Sequence, residues 1–256
     1  AMKYLSIGVL LSTLLMGPAA AQSSQSHVYF PGTETLGPEE MRITVVGSGS
    51  PQVRRSQVAA CFLVELGSGD KFLFDLGAGS ILNLTPLDIP YNQLDKVFIT
   101  HLHTDHWGDF SSYLVSGWVN GRTIPLKVWG PSGAKPEHGT RYAVERAVES
   151  LTWDLTSRRG ELPPGGDRVE VTEFDHREPR VVYEKDGVVI RAWPAVHVLD
   201  GAVSYSLQWK GMKFAYSGDT APNQWYVDEA KGADVAVHET FFTVLQLIEG
   251  SHFWSV

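Results

Sequence analysis

The sequence predicts a layered α/β domain, and three observations lead there. Short β-branched or apolar runs separated by glycine-rich turns recur along the chain, amphipathic helical stretches are interspersed among them, and no linker or internal repeat divides it. The length of 256 residues suits one sizeable domain, and 43% hydrophobic against 20% charged residues provides an ordinary globular core. Disordered, collagen-like and coiled-coil classes are excluded on that composition. The single cysteine, Cys61, excludes an internal disulfide framework and any cysteine-cluster metal site. Any metal must therefore be held by histidines and carboxylates.

The elements follow in order. Residues 1–21 read as an export signal: Lys3 opens it, Leu5 to Met16 is almost wholly apolar, and Ala19-Ala20-Ala21 offers the small residues a signal peptidase prefers. That apolar stretch falls short of the roughly 20 residues needed to span a bilayer. The expectation is a periplasmic or secreted protein with no stable membrane anchor. Residues 22–40 are polar and read as an extended lead-in to a domain over 41–256.

Met41–Val46, Ala59–Leu66, Lys71–Leu76, Lys96–Thr100 and Pro125–Trp129 are predicted strands. A helix is expected near Gly108–Trp118. Val144, Ala147, Leu151 and Leu155 fall on one face of a single predicted helix over Tyr142–Leu155. Val169–Phe174, Val181–Glu184 and Val188–Trp193 are strands, the last two joined by an Asp186-Gly187 hairpin turn. Val203–Trp209 and Met212–Tyr216 form a second hairpin around Lys210-Gly211. A helix over Asn223–Ala230 and a strand over Ala233–Val237 follow.

The net charge of −8 becomes one unit more negative once residues 1–21 are removed, and no basic run exceeds Arg54-Arg55 or Arg158-Arg159. Nucleic-acid binding needs a Lys/Arg footprint, so a nucleic-acid partner is not expected. A small-molecule substrate is.

The chemistry concentrates in Thr100-His101-Leu102-His103-Thr104-Asp105-His106, which holds three of the nine histidines. From the chain's own composition such a string arises by chance on the order of 10⁻³ times or less. It follows an apolar strand, and the C-terminal edge of a strand is where α/β proteins place ligands. His101 and His103 are two apart, so in extended backbone they point the same way. Neutral imidazole and carboxylate suit zinc, with iron or manganese as alternatives.

At these residues the sequence resembles the metallo-β-lactamase superfamily, whose signature has this His-any-His-any-Asp-His form. The resemblance continues in order over about residues 41–240. Val46-Gly47-Ser48-Gly49-Ser50-Pro51 is similar to the glycine turn of the RNase Z-like branch, and Asp75 in Asp75-Leu76-Gly77 to the motif that braces the metal loop. His197 and Asp219 match further metal ligands, and His238-Glu239-Thr240 resembles the branch's His-Glu motif. Singly, each of these later motifs reads equally as a turn, a helix cap or a strand-end histidine; their order raises them together.

The resemblance implies a four-layer αββα sandwich with two zinc ions at one edge of the β layers. His101, His103 and His197 would hold one ion, Asp105 and His106 the other, with Asp219 between them. Such a pair lowers the pKa of a shared water towards ~7, and the resulting hydroxide attacks a carbonyl, phosphorus or sulfur centre. Asp105 would also orient that hydroxide, and His238 would donate a proton to the leaving group. The leading expectation is hydrolysis of a small molecule such as a β-lactam amide. The alternatives are phosphodiesterase (tRNase Z-type) or arylsulfatase activity, and a non-catalytic metal-binding remnant. Homo-oligomers occur in this branch.

Two departures qualify the resemblance. Only 37 residues follow Asp219 and their ending, Glu249 to Val256, does not resemble the family's continuation to a last metal-binding histidine. The expectation is a C-terminally truncated sandwich, with His252 as the substitute ligand to test. His197 and Asp219 are only 22 positions apart, in an interval where tRNA-processing enzymes usually carry a long basic arm. Trp107, Trp118, Trp193, Trp225 and Tyr226 are candidates for an apolar pocket or for the core.

Overall fold

The computed structural model describes residues 34–52 and 54–240. The expected export signal over residues 1–21, most of the expected lead-in and His252 lie outside the described residues. No helix among the described residues is long and apolar enough to cross a membrane.

Eleven strands among these residues form two sheets. The first comprises β1 (Met41–Gly47), β2 (Cys61–Leu66), β3 (Lys71–Phe74), β4 (Lys96–Phe98), β5 (Leu126–Pro131) and β6 (Val169–Phe174), adjacent in that order. β1 to β3 pair antiparallel and β3 to β6 parallel. The second runs β11 (Val235–Val237), β10 (Met212–Tyr216), β9 (Val203–Trp209), β8 (Val188–Pro194) and β7 (Arg180–Lys185), with only β10 and β11 parallel. Both hairpins turn through left-handed residue pairs, Asp186-Gly187 at φ 50° and 76° and Lys210-Gly211 at φ 48° and 83°. Two-residue loops of that kind match the twist of the strands they join.

Alternation along the strands separates two cores. Phe62, Phe72, Phe74 and Phe98 face the second sheet, meeting Ile190, Tyr205, Leu207 and Phe214. Phe98 stacks on Trp129 with ring centroids 4.8 Å apart, a geometry worth about 0.5–1.5 kcal/mol beyond area burial. The opposite face of the first sheet places Leu63, Leu73, Val97 and Val128 against Phe110, Tyr113 and Leu114 of α3 (Phe110–Val119) and Val144 of α4 (Thr140–Ser150). Two short helices precede these two, α1 (Ser80–Leu84) and α2 (Thr104–Trp107). The outer face of the second sheet carries α6 (Gln224–Glu229), joined to β8 by a bidentate Arg191–Glu229 pair at 3.0 Å. The layers are those of the predicted αββα sandwich.

The helix expected over Tyr142–Leu155 is two: α4 ends at Ser150, capped by Leu151, and α5 covers Thr152–Arg158. Ser150 and Thr152 donate their hydroxyls to the carbonyls of Ala147 and Glu149, a local competition with helical bonding where the helix stops. Of the aromatic candidates, Trp118 and Trp193 are fully buried, and Trp107 stacks on Phe110.

Candidate metal centre

Every predicted site residue follows the C-terminal end of a strand, and all lie at one edge of the sandwich. Asp75 follows β3, the histidine-rich segment follows β4, His197 follows β8, Asp219 follows β10 and His238 follows β11. Tyr205 donates its hydroxyl to the Ile99 carbonyl at 2.7 Å, and the Val203 N–H bonds the Thr100 carbonyl at 3.0 Å. These two bonds fix the sheets to each other beside the site.

Asp75 is fully buried and sits at φ 63°, a backbone conformation that aspartate tolerates better than most residues. Its carboxylate accepts the Thr100 N–H at 2.7 Å, the Thr100 hydroxyl at 2.8 Å and the Tyr216 hydroxyl at 2.8 Å. It also accepts Nδ1–H of His106 at 2.7 Å. The Nε2 of His106 therefore faces outward, 3.0 Å from Asp219 and 3.7 Å from Asp105. Because the Thr100 hydroxyl donates to Asp75, it accepts from Nδ1 of His101, so the His101 Nε2 lone pair points at His103.

The loop after β3 braces the histidine-rich segment through backbone bonds. Leu76 and Ala78 donate their N–H groups to the carbonyls of His106 and Thr104, and Ala60 donates to Asp105. At Gly77 an added Cβ would lie 2.1 Å from the Asp105 carbonyl oxygen, which is why glycine stands in Asp75-Leu76-Gly77. The Gly47-Ser48-Gly49 turn is not a phosphate cradle, since Ser48 and Gly49 both spend their N–H groups on the Val58 carbonyl.

His103 Nδ1 lies 3.0 Å from His101 Nε2 and 3.1 Å from His197 Nε2. One ligand atom each from His101, His103, His197 and Asp219 falls within 4.8 Å of the others, and so does one each from Asp105, His106 and Asp219. Asp219 is common to both clusters. Burial, reinforced by the neighbouring imidazoles, holds His101 neutral with its pKa lowered to about 2. Burial lowers that of His197 as well. Burial would also lower His106, but Asp75 and Asp219 outweigh it and raise the pKa to about 10. For Asp219 burial is outweighed by the His106 contact, which brings the carboxyl down to about 2.

This donor set fits zinc. Imidazoles and carboxylates converge, and Oδ1 of Asp105 is buried with no hydrogen-bond partner among the described residues.

His238 lines a cavity of about 280 Å³ together with Asp105, His106, Asp219 and Ser48. Its Nδ1–H donates to the Glu239 carbonyl at 2.9 Å, leaving Nε2 free, and its ring packs edge-on against Tyr226. A larger cleft of about 930 Å³ opens beside His197, with Trp225, His176 and Arg177 on its walls. Trp225 is thus the one aromatic candidate that lines this cleft. Asp219 does not cap a helix: Asn223 caps α6, accepting the Tyr226 N–H at 2.9 Å. Glu239 stood in the His-Glu motif, whereas Thr100, Tyr216 and Thr220 support the site without having been singled out in the sequence. Only their adjacency to the recognised motifs marked them.

Comparison with known proteins agrees with this geometry. The chain is 29% identical to a ribonuclease Z of Mycobacterium avium over 207 residues, covering 77% of this chain and 69% of the relative. It is 28% identical to a ribonuclease Z of Mycolicibacterium gilvum, with 77% and 68% covered. In sequence and in fold the chain is similar to the RNase Z-like branch of the metallo-β-lactamase superfamily. These ribonuclease Z relatives indicate a metal-dependent hydrolase. A family model described as "Anti-Pycsar protein Apyc1" matches residues 41–128 of this RNase Z-like chain. The fold is shared with the short form of human tRNase Z, ELAC1 (TM-score 0.65, 20% identity, 81% of each chain). It is also shared with YhfI of Bacillus subtilis (TM-score 0.61, 17% identity, 80% of this chain and 74% of that one).

Proposed function

We propose that this chain is a zinc-dependent phosphodiester hydrolase of the tRNase Z type. The observation that carries the reading is the pair of donor clusters joined at Asp219 and sharing one cavity with His238. The relatives that match over 77% of this chain are ribonucleases Z. The β-lactam substrate expected first finds no support among these relatives, and the phosphodiester alternative is better backed. The same relatives weigh against the expectation that nucleic acid is not a partner.

His101, His103, His197 and Asp219 would hold one ion, and Asp105, His106 and Asp219 a second. Bound zinc supplies Lewis-acid activation of a water and charge stabilisation at phosphorus. The chain's own residues do the rest. Asp75 orients His106 through Nδ1, and Thr100 fixes the His101 ring so that Nε2 faces the cluster. Since Nδ1 of His238 is committed to the Glu239 carbonyl, protonated Nε2 is the position from which a proton passes to the leaving oxygen. Arg54 and Arg55 line a cavity of about 260 Å³ that reaches Asp105, a position suited to phosphate contacts.

The test incubates zinc-loaded protein and His101→Ala with a 3′-extended pre-tRNA, bis(p-nitrophenyl) phosphate and a chromogenic cephalosporin. Diester cleavage lost in the variant, with the cephalosporin intact, is expected. Cephalosporin hydrolysis with both diesters untouched would overturn the reading.

A further inference from the structure

Thr220 touches none of the clustered ligand atoms, yet it ties together the loops that carry three candidate site residues. We infer that its hydroxyl is a positioning group that sets His197 opposite Asp219 before any ion arrives; this rests on the metal-centre reading above.

The side chain is buried, at 1% exposure. A hydroxyl has one proton to give and two lone pairs to fill. Here Oγ1 accepts the Val196 N–H at 2.8 Å and the Asn223 side-chain N–H at 2.8 Å, and donates to the Ala221 carbonyl at 2.9 Å. All of its bonding capacity is used. The first contact reaches the residue immediately before His197, and Thr220 itself immediately follows Asp219.

The backbone of Thr220 makes the third connection. Its N–H donates to a carboxylate oxygen of Glu239, the residue after His238. The Glu239 N–H in turn bonds the Ser217 hydroxyl at 3.0 Å, just before Gly218-Asp219. The His197 and Asp219 loops are also joined by the Ala221 N–H to the Val196 carbonyl at 2.8 Å. That backbone bond survives any change of the Thr220 side chain, so losing the hydroxyl loosens the His197 loop without detaching it. Groups that hold metal ligands in place in this way typically account for about 10–100-fold in metal affinity.

The experiment compares full-chain wild type, Thr220→Val and Thr220→Ser for zinc affinity by chelator competition, for the visible spectrum of the cobalt-substituted protein, and for circular dichroism. Thr220→Val is expected to keep its secondary structure, bind zinc about 10–100-fold more weakly and show an altered cobalt spectrum. Thr220→Ser is expected to behave as wild type. Equal zinc affinity in wild type and Thr220→Val overturns the inference, as does an equal loss in Thr220→Ser. If wild type and His101→Ala bind the same zinc, the metal-centre reading itself fails, a result distinct from either. Should Thr220→Val not fold, hydrogen exchange of the Val196 amide in wild type decides: protection with and without zinc supports a preset loop, and free exchange in the zinc-free protein overturns it.

Discussion

Nδ1 of His106 lies 2.7 Å from the buried Asp75 carboxylate, across 31 residues of sequence. That contact directs Nε2 towards Asp219 and Asp105, and so links the brace to the candidate ligands. Asp75→Asn keeps a side chain that tolerates the left-handed backbone, and is expected to lower zinc affinity about 10–100-fold with the fold intact. Asp75→Ala also strands Thr100, Tyr216 and His106 without a partner, and is expected to cost about 3–5 kcal/mol in denaturant unfolding. A wild-type zinc affinity in Asp75→Asn would remove the brace from the account.

Zinc counted per chain should fall in His101→Ala, because that change removes one of four ligands from the cluster shared with His103, His197 and Asp219. Elemental analysis of dialysed protein measures this. An unchanged zinc content would place the bound ion elsewhere.

The metal-free protein should show a defined pH window. His106 is raised to about 10, so its contribution is complete below the ordinary histidine value of about 6.5 and is lost as pH rises through 10. Asp219 is lowered to about 2, so its contribution is present above about 3.9 and is lost as pH falls through 2. Burial depresses His101 and His197, so folding excludes their protons and stability also falls as pH drops below about 6.5. Thermal melts with excess chelator should therefore peak near about pH 6.5 and decline on both sides. His106→Asn should flatten the alkaline side; an unchanged alkaline limb would refute the assignment.

Gly77→Ala places a methyl group 2.1 Å from the Asp105 carbonyl in a loop with no room to yield. A loss of about 1–3 kcal/mol is expected, with weaker zinc binding. Gly69→Ala is the control for side-chain volume, since nothing lies within 4 Å of a Cβ there, although its φ of 96° adds backbone strain. Equal zinc affinity in both variants would show that the Gly77 contact does not reach the cluster.

Cys61 is fully buried in the core, and burial pushes its thiol well above the usual range. Ellman's reagent should find no reactive thiol in the native protein and one per chain in denaturant. Rapid native labelling would contradict the packing of β2.

The sequence by itself determined the strand pattern, both hairpin turns and the metal-type residues of the His101–His106 segment. Those signals are local: period-two alternation, left-handed turn pairs and ligands spaced two or three residues apart are written in neighbouring positions. Only the tertiary structure decided what His197, Asp219 and His238 contribute, because their roles depend on strand ends brought together from both sheets. It also decided that Gly47-Ser48-Gly49 spends its N–H groups on Val58, and that α4 and α5 are separate helices. Asp75, Thr100, Tyr216 and Thr220 act through hydrogen bonds that span up to 141 residues. No local pattern encodes such bonds; they exist only once burial removes water as the competing partner.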